Sequence, residues 1–573
     1  MDAPVQDQPD AASPWWRRAV VYQVYPASFA DADGDGFGDL RGVIDHLDHL
    51  VDLGIDVLWL SPIYPTPWDD GGYDISDYQD VEPRFGTLEI FDELLREAHR
   101  RGLKVVLDLV ANHTSDEHPW FVDSASAVDA PRRDWYHWAP PRPGHVGGEP
   151  GAEPTNWLSE FLEPAWQFHP GTGEYYLHLY SRKQPDLNWE NPEVRQALYA
   201  MMRWWLDRGV DGFRMDVINK ISKRMPLRDV PPVAGEPYVR ARSEYVNGPR
   251  VHEFVQEMHR EALAPYGARL ITVGETSGVT VEEAQLFTGA DRGELDMVFT
   301  FEHIRFDNGR NAFDKLPFDL VQLKAVMTRW QDGLADVGWN SLYFNNHDQP
   351  RVVSRWGDDG EYRVRSAKAF ATALHLQRGT PYVYQGEEIG MTNYPFAVLT
   401  DLRDIQSLNY SVYAAALGET EEATMAAIRE MGRDNARTPM QWDDGPSAGF
   451  STAVPWLPVN PNAAQVNVAA ARVDPDSVLA HYRELIRLRH ELPVITDGRY
   501  RLQLPDHPQL WVFTRTSPED ELLVVVNLSG QEVELPPEAR WPGASTVLST
   551  VPGEQGSTAQ PWEARVLRRV PVG

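Results

Sequence analysis

One pattern dominates the 573-residue chain and restricts its fold more than any other feature. Short runs rich in Val, Leu, Ile and Tyr alternate with longer segments of helical periodicity. Continuous apolar runs of this kind read as parallel strands buried on both faces. Eight are present, at residues 20–25, 57–61, 104–109, 212–217, 270–274, 297–301, 341–345 and 382–385. Between them, residues 40–53 carry Val43, Ile44, Leu47, Leu50 and Val51 at helical spacing. Residues 91–101 do the same with Leu94, Leu95 and Ala98. Asn191-Pro192 reads as a helix start, a capping side chain followed by proline in the first turn. Eight consecutive strand–helix units predict a (β/α)8 TIM barrel, because right-handed crossovers close a parallel sheet on itself. An open doubly wound sheet is the alternative; it requires a reversal of strand order.

Two stretches depart from this rhythm. Residues 112–185 are rich in Pro, Gly, His and Trp and too long for a connecting loop, so they predict an inserted subdomain over the barrel mouth. After a last helix at 477–492, alternating runs at 500–504, 510–515, 522–527 and 564–568 predict an antiparallel C-terminal β-sandwich. The expected layout is barrel at 1–111 and 186–494, insert at 112–185 and β domain at 495–573. A net charge of −32 repels phosphate backbones and anionic lipid, which argues against nucleic-acid and membrane partners. With no cysteine there is no disulfide or thiolate chemistry. The first fourteen residues are polar and acidic, without the basic and apolar regions of a signal peptide. A cytoplasmic monomer or small homo-oligomer is the expectation.

In a TIM barrel, chemistry gathers at the C-terminal ends of the strands. There the chain places Asp108, Asn112 and His113 after the third run, and Arg214 and Asp216 at the fourth. Glu275 follows the fifth, and His347 and Asp348 follow the seventh. Any one such carboxylate has a plain structural alternative as a helix cap or loop residue. Arg214 and Asp216, two apart on one strand, share a face, so the guanidinium is expected to keep Asp216 ionised; a buried structural ion pair is the alternative. Glu275 follows Ile271, Val273 and Gly274, an apolar wall expected to raise its pKa. Two carboxyl groups with opposite tuning are what cleavage of a glycosidic bond requires.

A separate pattern, Asp31-Ala-Asp33-Gly-Asp35-Gly-Phe37-Gly-Asp39, has oxygens at alternate positions with glycines between, which suits Ca²⁺. Gly42 stands where an EF-hand has its bidentate Glu, so it is not an EF-hand. A solvated acidic turn is the alternative.

The strings Asp108-Leu-Val-Ala-Asn-His113, Gly212-Phe-Arg-Met-Asp-Val-Ile-Asn219, Val273-Gly-Glu275 and Asn346-His-Asp-Gln-Pro-Arg351 resemble the four signature regions of the α-amylase family of glycoside hydrolases, family 13. Gln184-Pro-Asp-Leu-Asn-Trp189 is similar to a further region of its oligo-1,6-glucosidase and α-glucosidase subgroup. The stretches from Gly379 to Gly390 and from Gly432 to Trp442 also resemble it. The resemblance implies a retaining, exo-acting α-glucosidase that prefers α-1,6 linkages in short oligosaccharides. Asp216 is then the nucleophile, Glu275 the general acid/base and Asp348 the stabilising third acid. It also implies that His113, His347, Asp70, Tyr73 and Arg433 hold the terminal glucose, and that Asp31, Asp33, Asp35, Asp39 and the Phe37 carbonyl bind one structural Ca²⁺. Arg437, one helical turn from Arg433, competes for the same role. Val217 after the nucleophile accompanies α-1,6 preference in relatives, where Thr accompanies α-1,4. Gln406 and Thr276-Ser277 depart from the subgroup pattern, leaving sucrose, trehalulose or maltose as alternative substrates. A sucrose isomerase on the same scaffold is the nearest rival, although its Arg-Leu-Asp-Arg-Asp string is absent. A non-catalytic relative or a sugar-binding protein would have no need of the three acids.

Overall fold

The computed structural model describes residues 13–553 and 556–570. The first twelve residues of the polar N-terminal stretch, on which the signal-peptide reading rests, lie outside them. Eight parallel strands form one sheet: β1 Val21–Val24, β2 Val57–Leu60, β3 Lys104–Val110, β4 Gly212–Asp216, β5 Ile271–Glu275, β6 Met297–Phe299, β7 Ser341–Leu342 and β8 Thr380–Tyr384. Their order is β7-β8-β1-β2-β3-β4-β5-β6. A parallel bridge between Val298 and Asn340 joins the two ends, so the sheet curls into a barrel and the open-sheet alternative falls away. Nearly every strand residue is buried, as the uninterrupted apolar runs require.

The surrounding helices follow their caps. Thr87 caps Leu88–Arg100 through Ile90 N–H, and Asn191 caps Pro192–Arg208. The run at 40–53 is two helices, Leu40–Asp45 and Leu47–Leu53, rather than one. They part at His46, whose Nδ1 lies 2.8 Å from the Gly42 carbonyl. β7 is also shorter than the apolar run at 341–345: its ladder ends at Leu342, and the chain bends at Phe344 before it reaches the site.

Between β3 and β4 the chain forms a three-stranded antiparallel sheet of Trp138–Ala139, Glu174–Leu177 and Trp166–His169. The loop after β4 closes onto it: Trp157 Nε1 donates to the Arg228 carbonyl at 2.7 Å, and Asn156 exchanges hydrogen bonds with Val230. After β8, helices Ile405–Ala416 and Glu421–Met431 pack as a pair with their own apolar core. Neither feature stands out in the sequence.

The C-terminal segment has β9 Arg499–Gln503, β10 Leu510–Thr516, β11 Glu521–Asn527, β12 Ser545–Ser549 and β13 Ala564–Arg569, in the antiparallel order β9-β10-β11-β13-β12. A two-stranded pair, Val533–Glu534 with Thr558–Ala559, faces this sheet across Val512, Leu523 and Val525. Buried Lys324 pins the unit to the barrel, donating to the carbonyls of Leu504, His507 and Leu510.

Candidate active site

Strand register assembles the site. β3 pairs with β4 so that Asp108 lies opposite Arg214, and β4 pairs with β5 so that Arg214 lies opposite Val273. Gly212 permits this approach: a Cβ there would stand 1.8 Å from the Ile271 carbonyl oxygen, and its φ is +154°. Asp108, Asp216 and Glu275 therefore converge at the same end of the barrel.

Arg214 holds all three. Its Nη1 donates to Asp108 Oδ1 at 2.6 Å and to Asp216 Oδ1 at 2.8 Å, and its Nη2 pairs with Glu275 Oε2. Asp108 is fixed further by Trp59 Nε1 at 3.0 Å and the Tyr73 hydroxyl at 3.1 Å. Because one guanidinium serves three acids, it does not keep Asp216 ionised as the two-residue spacing suggests. The Asp216 carboxyl stands well above the usual carboxylate range. Burial is the main cause and the adjacent Glu275 the next, with Arg214 opposing. The two acids share a hydrogen bond, which places one proton between them.

Immediately after Asp216, Val217 has φ +37° and ψ +38°. A β-branched residue in the left-handed region is strained by about 1–3 kcal/mol. The turn points Val217 N–H at Glu275 Oε2, 3.4 Å away.

A second set of ion pairs closes the other side. Arg433 Nη1 lies 3.1 Å from Asp348 Oδ1, Nη2 lies 2.8 Å from Asp70 Oδ1, and Nε donates to Asp404 Oδ1 at 2.7 Å. Its guanidinium also covers the Phe161 ring of the insert. Arg437 reaches the same acid, 3.0 Å from Asp348 Oδ1, so both arginines serve Asp348 while Arg433 forms the hydrogen-bonded pair with Asp70. Burial opposes ionisation of Asp348. His347, Arg433 and Arg437 outweigh it and hold the carboxyl well below the usual range.

The two histidines are neutral. Burial lowers His113 to about 4 and His347 to about 3. Gln23 Nε2 donates to His347 Nδ1 at 2.8 Å, which leaves the proton on Nε2, 3.4 Å from Asp348 Oδ2. At neutral pH it is therefore the arginines that supply the positive charge around Asp348. The Tyr73 ring stacks on His347 at 5.1 Å, so one of its faces is already occupied. His113 sits beside Gln184 Nε2 at 3.3 Å, and the same amide donates to Asp70 Oδ2.

All nine catalytic and sugar-contacting candidates are thus in one connected network. Glu275, Asp348 and Arg433 line a cavity of about 130 Å³ with Phe161 and Tyr180 of the insert and Gln406 of the helical pair. Sequence reasoning missed Asp108 as the anchor of Arg214, Gln184 as the bridge between His113 and Asp70, and Asp404 as the third partner of Arg433. Asp404 shows in the sequence as a helix cap, which it is, accepting from Ser407 N–H at 2.9 Å.

The acidic loop stands apart from this network. Carboxylate oxygens of Asp31, Asp33 and Asp39 lie within 4.8 Å of one another, a spacing a cation can bridge. Asp35 lies outside this group, its Oδ1 accepting from Phe37 N–H at 2.7 Å. The Phe37 ring packs on Trp68 and Phe85. Burial and the neighbouring Asp35, Asp39 and Asp31 charges raise the Asp33 carboxyl, the repulsion a bound cation would relieve.

The family model for the α-amylase catalytic domain matches residues 23–498. The chain belongs to the α-amylase family. The relatives that show it are similar over nearly their whole length. An oligo-1,6-glucosidase of Parageobacillus thermoglucosidasius is 52% identical over 563 residues, covering 97% of this chain and 99% of the relative. Among α-amylase-family structures, trehalose-6-phosphate hydrolase of Bacillus licheniformis is 44% identical with a TM-score of 0.91, covering 97% of this chain and all of that one. Isomaltulose synthase of a Klebsiella species is 39% identical with a TM-score of 0.92 and the same coverage. This family member, like those, is an enzyme acting on glycosides. Among the described residues, no helix is long and apolar enough to cross a membrane.

Proposed function

We propose that the protein is a retaining α-glucosidase that removes glucose from the non-reducing end of short oligosaccharides, with preference for α-1,6 linkages. The observation that carries the reading is the pair Asp216 and Glu275 on the two terminal nitrogens of Arg214. Carboxyl groups this close leave no room for the intervening water of an inverting reaction, which needs a separation of about 6.5–9.5 Å. Asp216 attacks the anomeric carbon as the glycosidic C–O bond breaks and the proton held by the pair passes from Glu275 to the departing oxygen. An ester of glucose with Asp216 results. Water then attacks the same carbon, Glu275 takes its proton, and the ester bond breaks to release α-glucose and the free carboxylate. Asp348, kept ionised by its two arginines, offers acceptors to sugar hydroxyls as positive charge develops on the ring.

The exo mode is supported by the far wall. Asp70, Arg433 and Asp404 form a charged stop braced by Phe161, which suits a terminal sugar better than a continuing chain. Val217 supports the α-1,6 preference. Asp31, Asp33 and Asp39 would hold a structural Ca²⁺, remote from the chemistry.

Transglucosylation as in the isomaltulose synthase is the second reading, favoured by that fold similarity. Against it, Arg351 and Arg355 turn inward, Arg351 to the Gln385 carbonyl and Arg355 to Asp307. With the Arg-Leu-Asp-Arg-Asp string absent, neither of these two arginines is left to select fructose at the cavity.

The test uses 5-fluoro-α-glucosyl fluoride, mass spectrometry of the labelled peptide, and product analysis on isomaltose, maltose, sucrose and trehalulose. Label on Asp216, loss of turnover in Asp216→Asn and initial release of α-glucose are expected, with isomaltose the best substrate. Label elsewhere, or β-glucose as first product, refutes the mechanism. Isomeric disaccharides from sucrose alone favour the second reading.

A further inference from the structure

The cations on the walls of the reaction cavity, Lys220, Arg305 and Arg433, are not all paired. Three carboxyl groups face it: Glu160, Glu275 and Asp348. Each has its counterion. Glu275 is paired with Arg214, and Asp348 with Arg433 and Arg437. Glu160 accepts from Lys220 Nζ at 3.0 Å and from Arg242 Nη2 at 2.8 Å. Burial opposes the charge on Glu160, yet these cations hold it well below the usual range.

Arg305 lines the same cavity and has no such partner. Among the described residues, no acceptor lies within hydrogen-bond or ion-pair distance of its guanidinium. It rests over the Phe301 ring, 4.8 Å from the centroid. Burial lowers its pKa and the neighbouring Arg242 adds to the effect, against the opposing charge of Glu160, which is itself paired to Lys220 and Arg242. Gln406, on the same cavity, is neutral and offers no charge to offset it. The setting is unusual in a chain with a net charge of −32. A half-buried guanidinium that gives up part of its hydration without gaining an acceptor is costly to hold there. Such a group is a donor fork awaiting an anion.

Its position says which part of a substrate would supply that anion. Arg305 and Phe301 follow β6, the neighbour of β5, so they stand on the side of Glu275, where the departing group leaves. They also line a second cavity of about 730 Å³ along helix Leu320–Gly333, with Gln322 and Val326. The guanidinium thus sits at the boundary between the site of bond cleavage and space outside it. A planar fork at this point fits the paired oxygens of a phosphate or carboxylate, whereas a neutral sugar needs no cation there.

We propose that the leaving-group side of the cavity accepts an anionic aglycone: an α-glucoside whose departing sugar carries a phosphate or a carboxylate, gripped by Arg305. The inference rests on the α-glucosidase reading above and names a substrate class for the same site.

Two matched pairs of substrates test it: isomaltose against isomaltobionate, whose departing residue is an aldonate, and trehalose against trehalose 6-phosphate. The readout is the ratio of kcat/KM, anionic over neutral, within each pair. For the wild-type enzyme at low salt, at least one pair gives a ratio of about ten or more, shrinking at high ionic strength. The pair that does so tells carboxylate from phosphate. In Arg305→Gln that ratio falls by about tenfold, and Arg305→Lys recovers part of it. Ratios at or below one in both wild-type pairs overturn the proposal, as does a ratio unchanged in Arg305→Gln. If the neutral sugars are hydrolysed without anionic preference, the α-glucosidase reading stands and the anion site alone fails. If neither pair nor 4-nitrophenyl α-glucoside is hydrolysed, both fail together.

Discussion

The main-chain N–H of Val217 lies 3.4 Å from Glu275 Oε2, and the left-handed turn that aims it there follows Asp216 directly. The Val217 side chain is buried at this turn. Replacing one methyl with a hydroxyl in Val217→Thr keeps the shape and the strained backbone but adds a polar group beside the cleaved bond. The resemblance to α-amylase-family relatives gives the direction of the effect. The ratio of kcat/KM for isomaltose over maltose is expected to fall by about tenfold, or ~1.4 kcal/mol of discrimination. Parallel initial rates check this. An unchanged ratio removes Val217 as the basis for the α-1,6 preference.

The barrel was legible because strands buried on both faces have to be apolar throughout, and the acids were legible because they interrupt those runs at the ends. The limits of that reading are equally physical. Arg433 meets Asp70 across 363 positions of sequence, and no local pattern announces a contact made by folding. The insertion of the loop after β4 into the subdomain rests on Asn156 and Trp157 bonding main-chain atoms around 228–230, groups every sequence contains. An ionised Asp216 was a sound inference from Arg214 at two-residue spacing. It did not hold because burial and the adjacent Glu275 outweigh a guanidinium that Asp108, one strand away, also shares.

Arg433 divides its five N–H groups among Asp70, Asp348 and Asp404. Arg433→Ala leaves Asp70 and Asp404 buried with diminished compensation, an expected cost of about 3–5 kcal/mol in stability. Arg433→Lys keeps the charge but cannot fork. Its Tm should lie between wild type and Arg433→Ala, while KM for isomaltose rises by about a hundredfold. Differential scanning calorimetry with steady-state kinetics separates the two effects. A lysine variant with wild-type KM shows that charge alone suffices.

The acidic loop makes its own prediction. Asp31 and Asp39 already accept N–H groups of the loop: Gly34 at 2.6 Å and Gly36 at 2.8 Å bond Asp31, and Gly42 at 2.6 Å bonds Asp39. Replacing either confounds metal binding with loop folding. Asp33 is the exposed member, so Asp33→Asn is the cleaner probe. Saturating Ca²⁺ should stabilise the wild type by about 2–4 kcal/mol over chelated protein, and the variant by much less. Equal Tm values for wild type with Ca²⁺ and with chelator rule the cation out.

His375 ends helix Arg363–His375, fully buried, with neither ring nitrogen hydrogen-bonded among the described residues and Tyr482 packed edge-on at 5.2 Å. Burial, with a smaller contribution from Arg489, lowers its pKa from 6.5 to about 3. In the unfolded chain the imidazole takes up a proton near pH 6.5; in the folded chain it does not until about pH 3. Between those values the unfolded state binds more protons. Stability from this residue is therefore intact above pH 6.5 and falls as pH drops toward 3, by on the order of 5 kcal/mol in all. His375→Phe keeps an aromatic ring and removes the titration. It should unfold in acid at a midpoint about 0.3–0.5 pH units lower than wild type, even if overpacking lowers its stability at pH 7 by about 1 kcal/mol. The slope of stability against pH is the decisive readout, because altered packing shifts the whole curve without changing its slope. A variant curve parallel to the wild-type curve between pH 4 and 6 means that His375 finds solvent or a partner in the folded protein.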